Sequence, residues 1–268
     1  MAAYDSIRLL ARSVRELPGV RHYRESAYAR RFASATNVNL YRGVFDSFEA
    51  AAASSPPTKP AGYDNDASAG LYVEDLEPYL KDYPAALWLE RAFGEGAKSV
   101  FDLGGHFGVK YYALAGRVSY PADLRWTVCD VPAVARRGAE IAAERDRLGH
   151  LRFTTEYGDL DGHDVLYASG SIQYLPTPLG DILGRLDRKP RRLIVNTAAI
   201  HPSRTFYTLN SIGTAFCPYR VMGEKDFVGS MEALGYRMRD RWETPKDFVI
   251  PFEKGYDLDS FKGYCFDR

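Results

Sequence analysis

The sequence predicts an α/β fold built on a mostly parallel central sheet. From residue 98 onward, short apolar runs typical of strands alternate with helical stretches, notably at 132–148 and 178–187. Strands joined by helix-length connections form parallel sheets, and strands that are apolar throughout indicate a sheet covered on both faces. The five predicted strands lie in KSVFDLG, LRWTVCDVP, LRFTTEYGDL, HDVLYASG and RRLIVNTAAI.

The C-terminal part predicts a helix over 224–239, followed by antiparallel strands in DFVIPFE and GYCFD. Upstream, apolar residues at helical spacing predict a helix, a turn at Pro18-Gly19 and a second helix, and residues 72–93 are also helical in pattern. The Pro-rich segment SSPPTKPAGYDND separates these parts. We therefore expect an N-terminal helical appendage or lid over 1–70 and a Rossmann-like ligand-binding and catalytic domain over 71–268.

Charge and composition exclude several functional classes. Lysine plus arginine and aspartate plus glutamate number 35 each, so no overall field attracts nucleic acid. No apolar run of about 18 residues indicates a membrane span, and the N-terminus lacks the apolar centre of a signal peptide. Cys129, Cys217 and Cys265 show no CxxC spacing, so we expect no disulfide framework and no metal site. A cytoplasmic protein with a small-molecule substrate is the simplest interpretation, and a homodimer remains open.

A glycine-rich turn follows the first predicted strand, where a parallel sheet binds its ligands. Gly104, Gly105 and Gly108 lie within FDLGGHFG, but His106 occupies the second glycine position of the dinucleotide fingerprint. Asp102, two residues before the first glycine, fits the D-x-G-x-G-x-G loop of class I S-adenosylmethionine (SAM) methyltransferases at three of its four positions. A glycine turn without a ligand is the alternative.

Two further acidic positions follow in the order that a nucleoside site requires. Asp130, in CDVP, ends a strand and can accept hydrogen bonds from both ribose hydroxyls, with Val131 as its neighbour in the cofactor site; capping of the next helix is the alternative role of Asp130. Asp159 is a candidate acceptor for the adenine amino group, and Leu160 can pack on the ring, although Gly-Asp pairs are common in turns.

Polar residues at the ends of the fourth and fifth strands are candidates for the reaction itself. Ser169 and Ser171 lie beside the expected sulfonium, with Tyr174 as a catalytic candidate. His201 is the best candidate base because imidazole titrates near neutrality, and Ser203 is a candidate to orient an acceptor. Structural roles in helix capping and core packing are the alternatives.

Tyrosine is abundant, with 19 residues, which indicates a pocket or an interface with hydroxyl-tipped aromatic walls. Candidates for substrate contact are Tyr63 and Asn65 in the predicted lid, Tyr207 after the fifth strand, and the pair Tyr111 and Tyr112. The pair could place a ring near the sulfonium or belong to the core.

Taken in order, DLGGHFG, CDVP, ASGSIQYL, HPS and GTAFCPYR resemble a family of class I SAM-dependent methyltransferases of bacterial exopolysaccharide and secondary-metabolite gene clusters. The resemblance extends from about residue 40 to the C-terminus. It implies the Rossmann-like class I fold with SAM as cofactor, its amino-acid end held by Asp102, Gly104 and Gly108 and its ribose by Asp130. His106 belongs to this family's own pattern.

The resemblance implies methyl transfer to an oxygen or nitrogen of a small molecule. A related reaction, in which the SAM amine attacks its own γ-carbon to form azetidine-2-carboxylate and release methylthioadenosine, uses the same sulfonium. A non-catalytic SAM sensor is a third hypothesis. Motifs that only bind SAM do not separate these three.

Overall fold

The computed structural model describes residues 18–36, 39–72 and 76–268. Three short 3-10 turns, Leu80–Asp82, Tyr157–Leu160 and Ile172–Tyr174, supplement its helices and strands. In chain order these are α1 (Pro18–Ser34), β1 (Leu40–Phe45), α2 (Phe48–Ala53), α3 (Asp66–Ala69), α4 (Tyr83–Gly94), β2 (Ser99–Leu103), α5 (Val109–Leu114), β3 (Arg125–Cys129), α6 (Pro132–Arg145), β4 (Leu151–Thr154), β5 (Val165–Ser169), α7 (Leu179–Gly184), β6 (Arg192–Ala198), β7 (Ile200–His201), β8 (Phe206–Ser211), β9 (Phe216–Gly223), α8 (Glu224–Ala233), β10 (Arg237–Phe248) and β11 (Leu258–Asp267).

The central sheet has seven strands in the order β10-β11-β6-β5-β2-β3-β4. The five strands from β2 to β6 pair in parallel, and β11 pairs antiparallel with both β6 and β10. The chain moves outward from β2 to β4 and then returns to place β5 on the other side of β2. The predicted α/β fold class, a Rossmann-like and mostly parallel sheet with a C-terminal antiparallel hairpin, is confirmed.

Apolar clusters cover both faces of this sheet, as continuous apolar strands require. One cluster includes Phe101 and Leu166 and extends to α7 and α8, while the other includes Trp126 and Tyr167 and extends to α4. Strand β2 is buried along its whole length because it lies at the centre of both layers. This burial holds the end of β2, and therefore the glycine turn, in a fixed position.

The structure also contains a second sheet, in the order β1-β8-β9-β7, that was not predicted from the sequence. Strand β1 pairs antiparallel with β8, and β8 pairs antiparallel with β9. The segment 1–70 is therefore not helical throughout, because it contributes an edge strand to this sheet. The predicted helix before Pro18 lies outside the described residues. Helix α2 begins after Ser47, whose side chain accepts a hydrogen bond from the Ala50 amide.

The C-terminal hairpin differs in extent from its prediction. The predicted helix 224–239 ends at Ala233, before Gly235 at φ +88°, and β10 already begins at Arg237. Charged residues dominate the exposed positions of β10, so this edge strand lacks the apolar pattern that marks the inner strands. Its register on β11 places Trp242 opposite Gly263. None of the helices in the described ranges is both long and apolar enough to cross a lipid bilayer.

Replacing Gly263 with alanine should destabilise the hairpin, because a Cβ there would lie 2.0 Å from Cε2 of Trp242. The indole would have to move, and it would lose the 2.9 Å hydrogen bond from its Nε1 to Oδ1 of Asn196. We expect Gly263→Ala to lower the free energy of unfolding by about 1–3 kcal/mol, measured by denaturant titration. Gly229→Ala is the control, since α8 has open space at that position; equal stability of the two variants would contradict the prediction.

Candidate functional site

A cavity of about 770 Å³ opens at the carboxyl ends of the central strands, next to the point where the strand order reverses. Its floor comes from the residues that follow β2, β3 and β5, together with Thr197 of β6. Its remaining walls come from the second sheet, from α2, from residues 61–63, 72, 79 and 81, from the loop after β4 and from the C-terminal hairpin. The volume is typical of a small-molecule site, for which the range is about 300–1,000 Å³.

The glycine turn at the end of β2 is packed too closely for side chains. A Cβ on Gly104 would lie 2.3 Å from Cβ of Ser171, and Gly104 has a φ of +73°. A Cβ on Gly105 would lie 2.3 Å from the carboxylate of Asp102. Gly108, at φ +89°, begins α5 but does not line the cavity. The turn therefore presents bare backbone to any ligand in the cavity.

His106 takes the left-handed backbone conformation, at φ +57°, that a glycine would adopt. Its amide donates to Oδ2 of Asp130 at 2.9 Å, and its ring Nε2 lies 3.1 Å from the carbonyl oxygen of Ser68. Nε2 must be the protonated nitrogen, since a carbonyl only accepts. Burial lowers the pKa of His106, so the ring is neutral. His106 thus joins two walls of the cavity rather than breaking the turn.

Asp130 is oriented by two backbone donors. Oδ1 accepts the Val131 amide at 2.8 Å and Oδ2 accepts the His106 amide at 2.9 Å. Burial raises the pKa of Asp130 to about 6, although the two amides oppose that shift. The group is therefore ionised at neutral pH and keeps acceptor capacity on each oxygen, which suits a ligand with two adjacent hydroxyls. Val131 lines the cavity beside it.

Asp102 is buried beneath the turn. Its Oδ2 accepts the indole Nε1–H of Trp126 at 3.0 Å, and burial raises its pKa to about 7. The nearby carboxylate of Asp130 also raises this pKa, while Lys110 lowers it. Asp102 thus supports the turn from below and also contributes to the cavity wall.

Residues 60–72, called here the covering segment, close one side of the cavity. Gly62 donates to the Phe216 carbonyl at 2.8 Å, and Oδ1 of Asp64 accepts the Ala133 amide at 2.8 Å. The rings of Tyr63 and Tyr72 meet the His106 ring edge-on, with centroids 6.1 and 5.4 Å away. Both tyrosines line the cavity.

Asn65, predicted to contact substrate, does not line the cavity. Its Oδ1 instead accepts the Ser68 amide at 2.9 Å and so caps α3. The predicted adenine contacts also lie elsewhere. Asp159 is exposed and accepts the Thr154 hydroxyl at 2.5 Å, while Leu160 is fully buried in the core. Residues of the same loop, Thr155 and Tyr157, line the cavity instead.

The predicted catalytic pair His201 and Ser203 lies outside the cavity lining. His201 is in β7, its Nδ1 accepts the Ser203 amide at 3.1 Å, and its ring meets Phe206 edge-on. Tyr207 also lies away from the cavity, with the Arg220 guanidinium 5.5 Å from its ring centroid. His201 therefore occupies a structural position, because β7 pairs with β9 of the second sheet and the histidine lies outside the cavity lining.

Tyr111 and Tyr112 also belong to the core. Tyr111 stacks on Tyr120 at 5.3 Å and donates to Oδ1 of Asp146 at 2.9 Å. Tyr112 packs beside Phe107 and lies in the same apolar cluster as Tyr111. Neither lines the cavity, since α5 directs this pair toward α6 and β3 rather than toward the strand ends.

The structure brings together the remaining predicted residues and adds an aromatic region. Ser169, Ser171 and Tyr174 line the cavity; Ser171 donates to the Leu103 carbonyl, and Tyr174 donates to Oδ1 of Asn210 at 2.9 Å. Burial raises the pKa of Tyr174 well above its ordinary value, so the phenol is a donor rather than a base at neutral pH. Within the described ranges, seven tyrosines line the cavity: Tyr41, Tyr63, Tyr72, Tyr79, Tyr157, Tyr174 and Tyr219.

Several lining residues were missed by the sequence analysis. Gln173 and Thr197 each carry a buried oxygen, Oε1 and Oγ1, without a hydrogen-bond partner in the part of the chain that the structure describes. Lys81, Lys110 and Lys246 line the cavity from three distant parts of the chain. The tyrosine content signalled the aromatic walls, but no local pattern marks the lysines, because only the fold brings them together.

Comparison with solved structures finds similar folds in several SAM-dependent enzymes. The 1,6-didemethyltoxoflavin-N1-methyltransferase of Burkholderia thailandensis, with bound S-adenosylhomocysteine, is 19% identical over 70% of this chain and 78% of its own, with a TM-score of 0.46. Magnesium protoporphyrin IX methyltransferase of Synechocystis PCC 6803, with bound SAM, is 16% identical over 69% of this chain and 77% of its own, with a TM-score of 0.47. Geranyl diphosphate methyltransferase with sinefungin is 13% identical over 69% and 78%, with a TM-score of 0.48.

No family model and no curated protein matches the sequence. Because the structural similarities are this distant, the fold assignment stands on the strand order and pairing of the chain itself.

Replacing Asp102 with asparagine should change how stability depends on pH. A folded pKa of about 7, above the ordinary 3.8, means that the folded state binds this proton more tightly than the unfolded state does. The free energy of unfolding of the wild type therefore falls as the pH rises through 4–7, relative to a variant that cannot ionise.

Between pH 4 and pH 8, we expect the free energy of unfolding of Asp102→Asn to rise by on the order of 3 kcal/mol relative to that of the wild type. Denaturant titrations of the unliganded protein at several pH values measure this difference. Asp123→Asn, at an exposed ion pair with Lys98, is the control and should show little change. A difference between Asp102→Asn and the wild type that stays constant with pH would contradict the assignment.

Proposed function

We propose that this chain is a SAM-dependent methyltransferase that acts on a small molecule. The observation that carries the proposal is the pairing of a bare glycine turn with Asp130 at the strand-order reversal, in one cavity that continues into an aromatic region. The same sequence motifs support membership of the family found in bacterial exopolysaccharide and secondary-metabolite clusters. A cytoplasmic location and a homodimer remain proposals from the sequence.

The residues at the strand ends fit SAM. The backbone of Gly104 and Gly105 can lie against its amino-acid end because no side chain intervenes. Asp130 would accept the two ribose hydroxyls with the lone pairs that its backbone donors leave unused. Tyr63 and Tyr72 close this part of the cavity, and the hydroxyls of Ser169 and Thr197 lie at the ends of β5 and β6.

The extent of the cavity supports transfer to a second molecule. Tyr41 of β1, Phe48 of α2, Tyr219 of β9 and Phe261 of β11 line a region built by elements outside the five parallel strands. An intramolecular cyclisation needs no such region, because its nucleophile is part of SAM. The aromatic walls instead offer an apolar surface on which a separate acceptor can be oriented.

Bound SAM would supply an electrophilic methyl group at its sulfonium. The contribution of the chain is alignment, which accounts for most of the barrier reduction in such displacements, and exclusion of water by the covering segment. Gln173 can donate a hydrogen bond to an acceptor, and the Tyr174 oxygen can accept one, since its O–H already donates to Asn210. Tyr41, Tyr174 and Tyr219 remain protonated at neutral pH because burial raises their pKa values. They therefore position the acceptor rather than remove its proton.

Replacing Asp130 with asparagine should weaken SAM binding. One carboxylate oxygen becomes an NH₂ group, which faces an amide donor and cannot accept a ribose hydroxyl. We expect the Kd for SAM, measured by calorimetry at pH 7.5, to rise about tenfold to a hundredfold, equivalent to about 1–3 kcal/mol. Wild-type affinity should also fall below about pH 6 as Asp130 becomes protonated, and the variant should lose this dependence.

Asp159→Asn is the matched control, since Asp159 is exposed and outside the cavity lining. Its Kd should equal that of the wild type. A larger effect at Asp159 than at Asp130 would restore the adenine role that the sequence suggested and would contradict the ribose assignment.

Product analysis separates the three activities. The purified protein is incubated with SAM alone and with SAM plus pooled small-molecule acceptors, and products are identified by mass spectrometry. S-adenosylhomocysteine that forms only when acceptors are present supports methyl transfer. Methylthioadenosine with azetidine-2-carboxylate from SAM alone would replace the proposal with the cyclase, and tight SAM binding without turnover in any pool would favour the sensor.

A further inference from the structure

Three lysines line the cavity, but they differ in their partners. Nζ of Lys110 lies 2.6 Å from Oδ2 of Asp82, whose side chain is fully buried, and this ion pair neutralises Lys110. Lys81 and Lys246 form no ion pair within 4 Å and no hydrogen bond with any part of the chain in the described ranges. Among the described residues of the site, two ammonium groups are therefore without a counter-ion.

Aromatic rings of the cavity wall hold both of these ammonium groups. Nζ of Lys81 lies 4.8 Å from the ring centroid of Tyr79, and Nζ of Lys246 lies 4.5 Å from that of Phe261. Both rings line the cavity. A ring face attracts a cation but does not cancel its charge, so each ammonium stays positive and keeps three N–H donors.

Both lysines line the same cavity, and their ammonium groups lie over two of its rings. Burial of part of the Lys246 side chain lowers its pKa, and the positive charge of Lys81 lowers it further, although Lys246 as a residue is exposed. An anion bound between two like charges would relieve their repulsion. The carboxylates among the described lining residues, Asp102 and Asp130, lie at the glycine turn, where backbone and indole donors already orient them.

The region next to the lysines has apolar walls. Phe261 and Tyr219 are almost fully buried and line the cavity, together with Tyr41 and Phe48. These rings come from β11, β9, β1 and α2 and so lie outside the strand ends that fit SAM. A ligand of this region would therefore meet aromatic surface over its body and two positive charges at one end.

We propose that the methyl acceptor is an organic anion, with an apolar body of about ring size that carries a carboxylate or a phosphate bound by Lys81 and Lys246. This inference rests on the proposed methyltransferase function and names its substrate class. Fixing the anionic end at the lysines leaves the rest of the acceptor against the aromatic walls, which gives it one orientation in the cavity. Both lysines are positioning residues for substrate and take no part in bond making.

Three probes of similar ring size test the proposal. Calorimetry compares 4-hydroxybenzoate, phenyl phosphate and the neutral 4-hydroxybenzyl alcohol on the full chain, with and without saturating S-adenosylhomocysteine. We expect at least one anion to bind the wild type about tenfold or more tightly than the alcohol, since hydrogen bonds to charged groups contribute about 1.5–3 kcal/mol. The stronger of the two anions identifies the acceptor group as carboxylate or phosphate.

Variants locate the anion site. Lys81→Met and Lys246→Met should each reduce affinity for the preferred anion about tenfold and leave affinity for the alcohol unchanged, while Lys246→Arg should retain most of it. Lys225→Met, at an exposed position of α8, is the control. Raising the salt concentration should lower the affinity of the wild type for the preferred anion toward the affinities of the Met variants.

Several results would overturn the proposal. They are equal affinity for the anions and the alcohol, failure of both anions to bind the wild type, and losses in Lys225→Met that equal those of the site variants. A loss of S-adenosylhomocysteine affinity in the lysine variants without a loss of anion affinity would assign the lysines to the cofactor carboxylate instead. Failure of the methyltransferase function itself is recognised separately, because the product analysis would then show methylthioadenosine from SAM alone, SAM binding without turnover, or no binding of SAM and S-adenosylhomocysteine.

Discussion

The burial of two carboxylates around one backbone turn is the constraint on which the rest of this structure depends. Asp102 lies under the turn and Asp130 beside it, and burial raises the pKa of both. Each carboxylate is tolerated because backbone or indole N–H groups point at it. The turn must therefore run within contact distance of both, which requires glycine at 105 and goes with a left-handed residue at 106, while Ser171 excludes a side chain at 104.

The second constraint is a buried polar network that joins the walls of the cavity. Asp82 pairs with Lys110 and accepts Nδ2 of Asn196 at 3.4 Å, while Oδ1 of Asn196 accepts the Trp242 indole N–H at 2.9 Å. The network thus connects the turn before α4, helix α5, strand β6 and the C-terminal hairpin. Removing one member would leave a buried charge or amide unpaired, which costs more than the bond itself contributes. The walls on this side of the cavity therefore keep their mutual positions.

The central sheet was predictable because its strands are short, apolar and separated by helix-length connections. The glycine turn and Asp130 were predictable because both follow a strand directly, where chain position fixes spatial position. The second sheet was not, since β1 lies far from β8 in the sequence and β8 carries polar residues such as Thr208 and Asn210 that are buried only through pairing. His201 illustrates the limit, because its chemistry suggested a base but its strand directs it away from the cavity.

The hydrogen bonds of the covering segment have a consequence for how quickly a bound molecule can leave. Gly62 is held by Phe216, Asp64 by the Ala133 amide, and Ser68 by both His106 and the hydroxyl of Thr214. Each bond contributes about 0.5–1.5 kcal/mol net, so the covering segment detaches only when these bonds break together. A ligand bound beneath Tyr63 and Tyr72 exchanges no faster than the covering segment opens. Motions of this kind often limit turnover on the microsecond-to-millisecond scale. The covering segment, which shields the site from water, would thereby also set the rate at which the ligand is released.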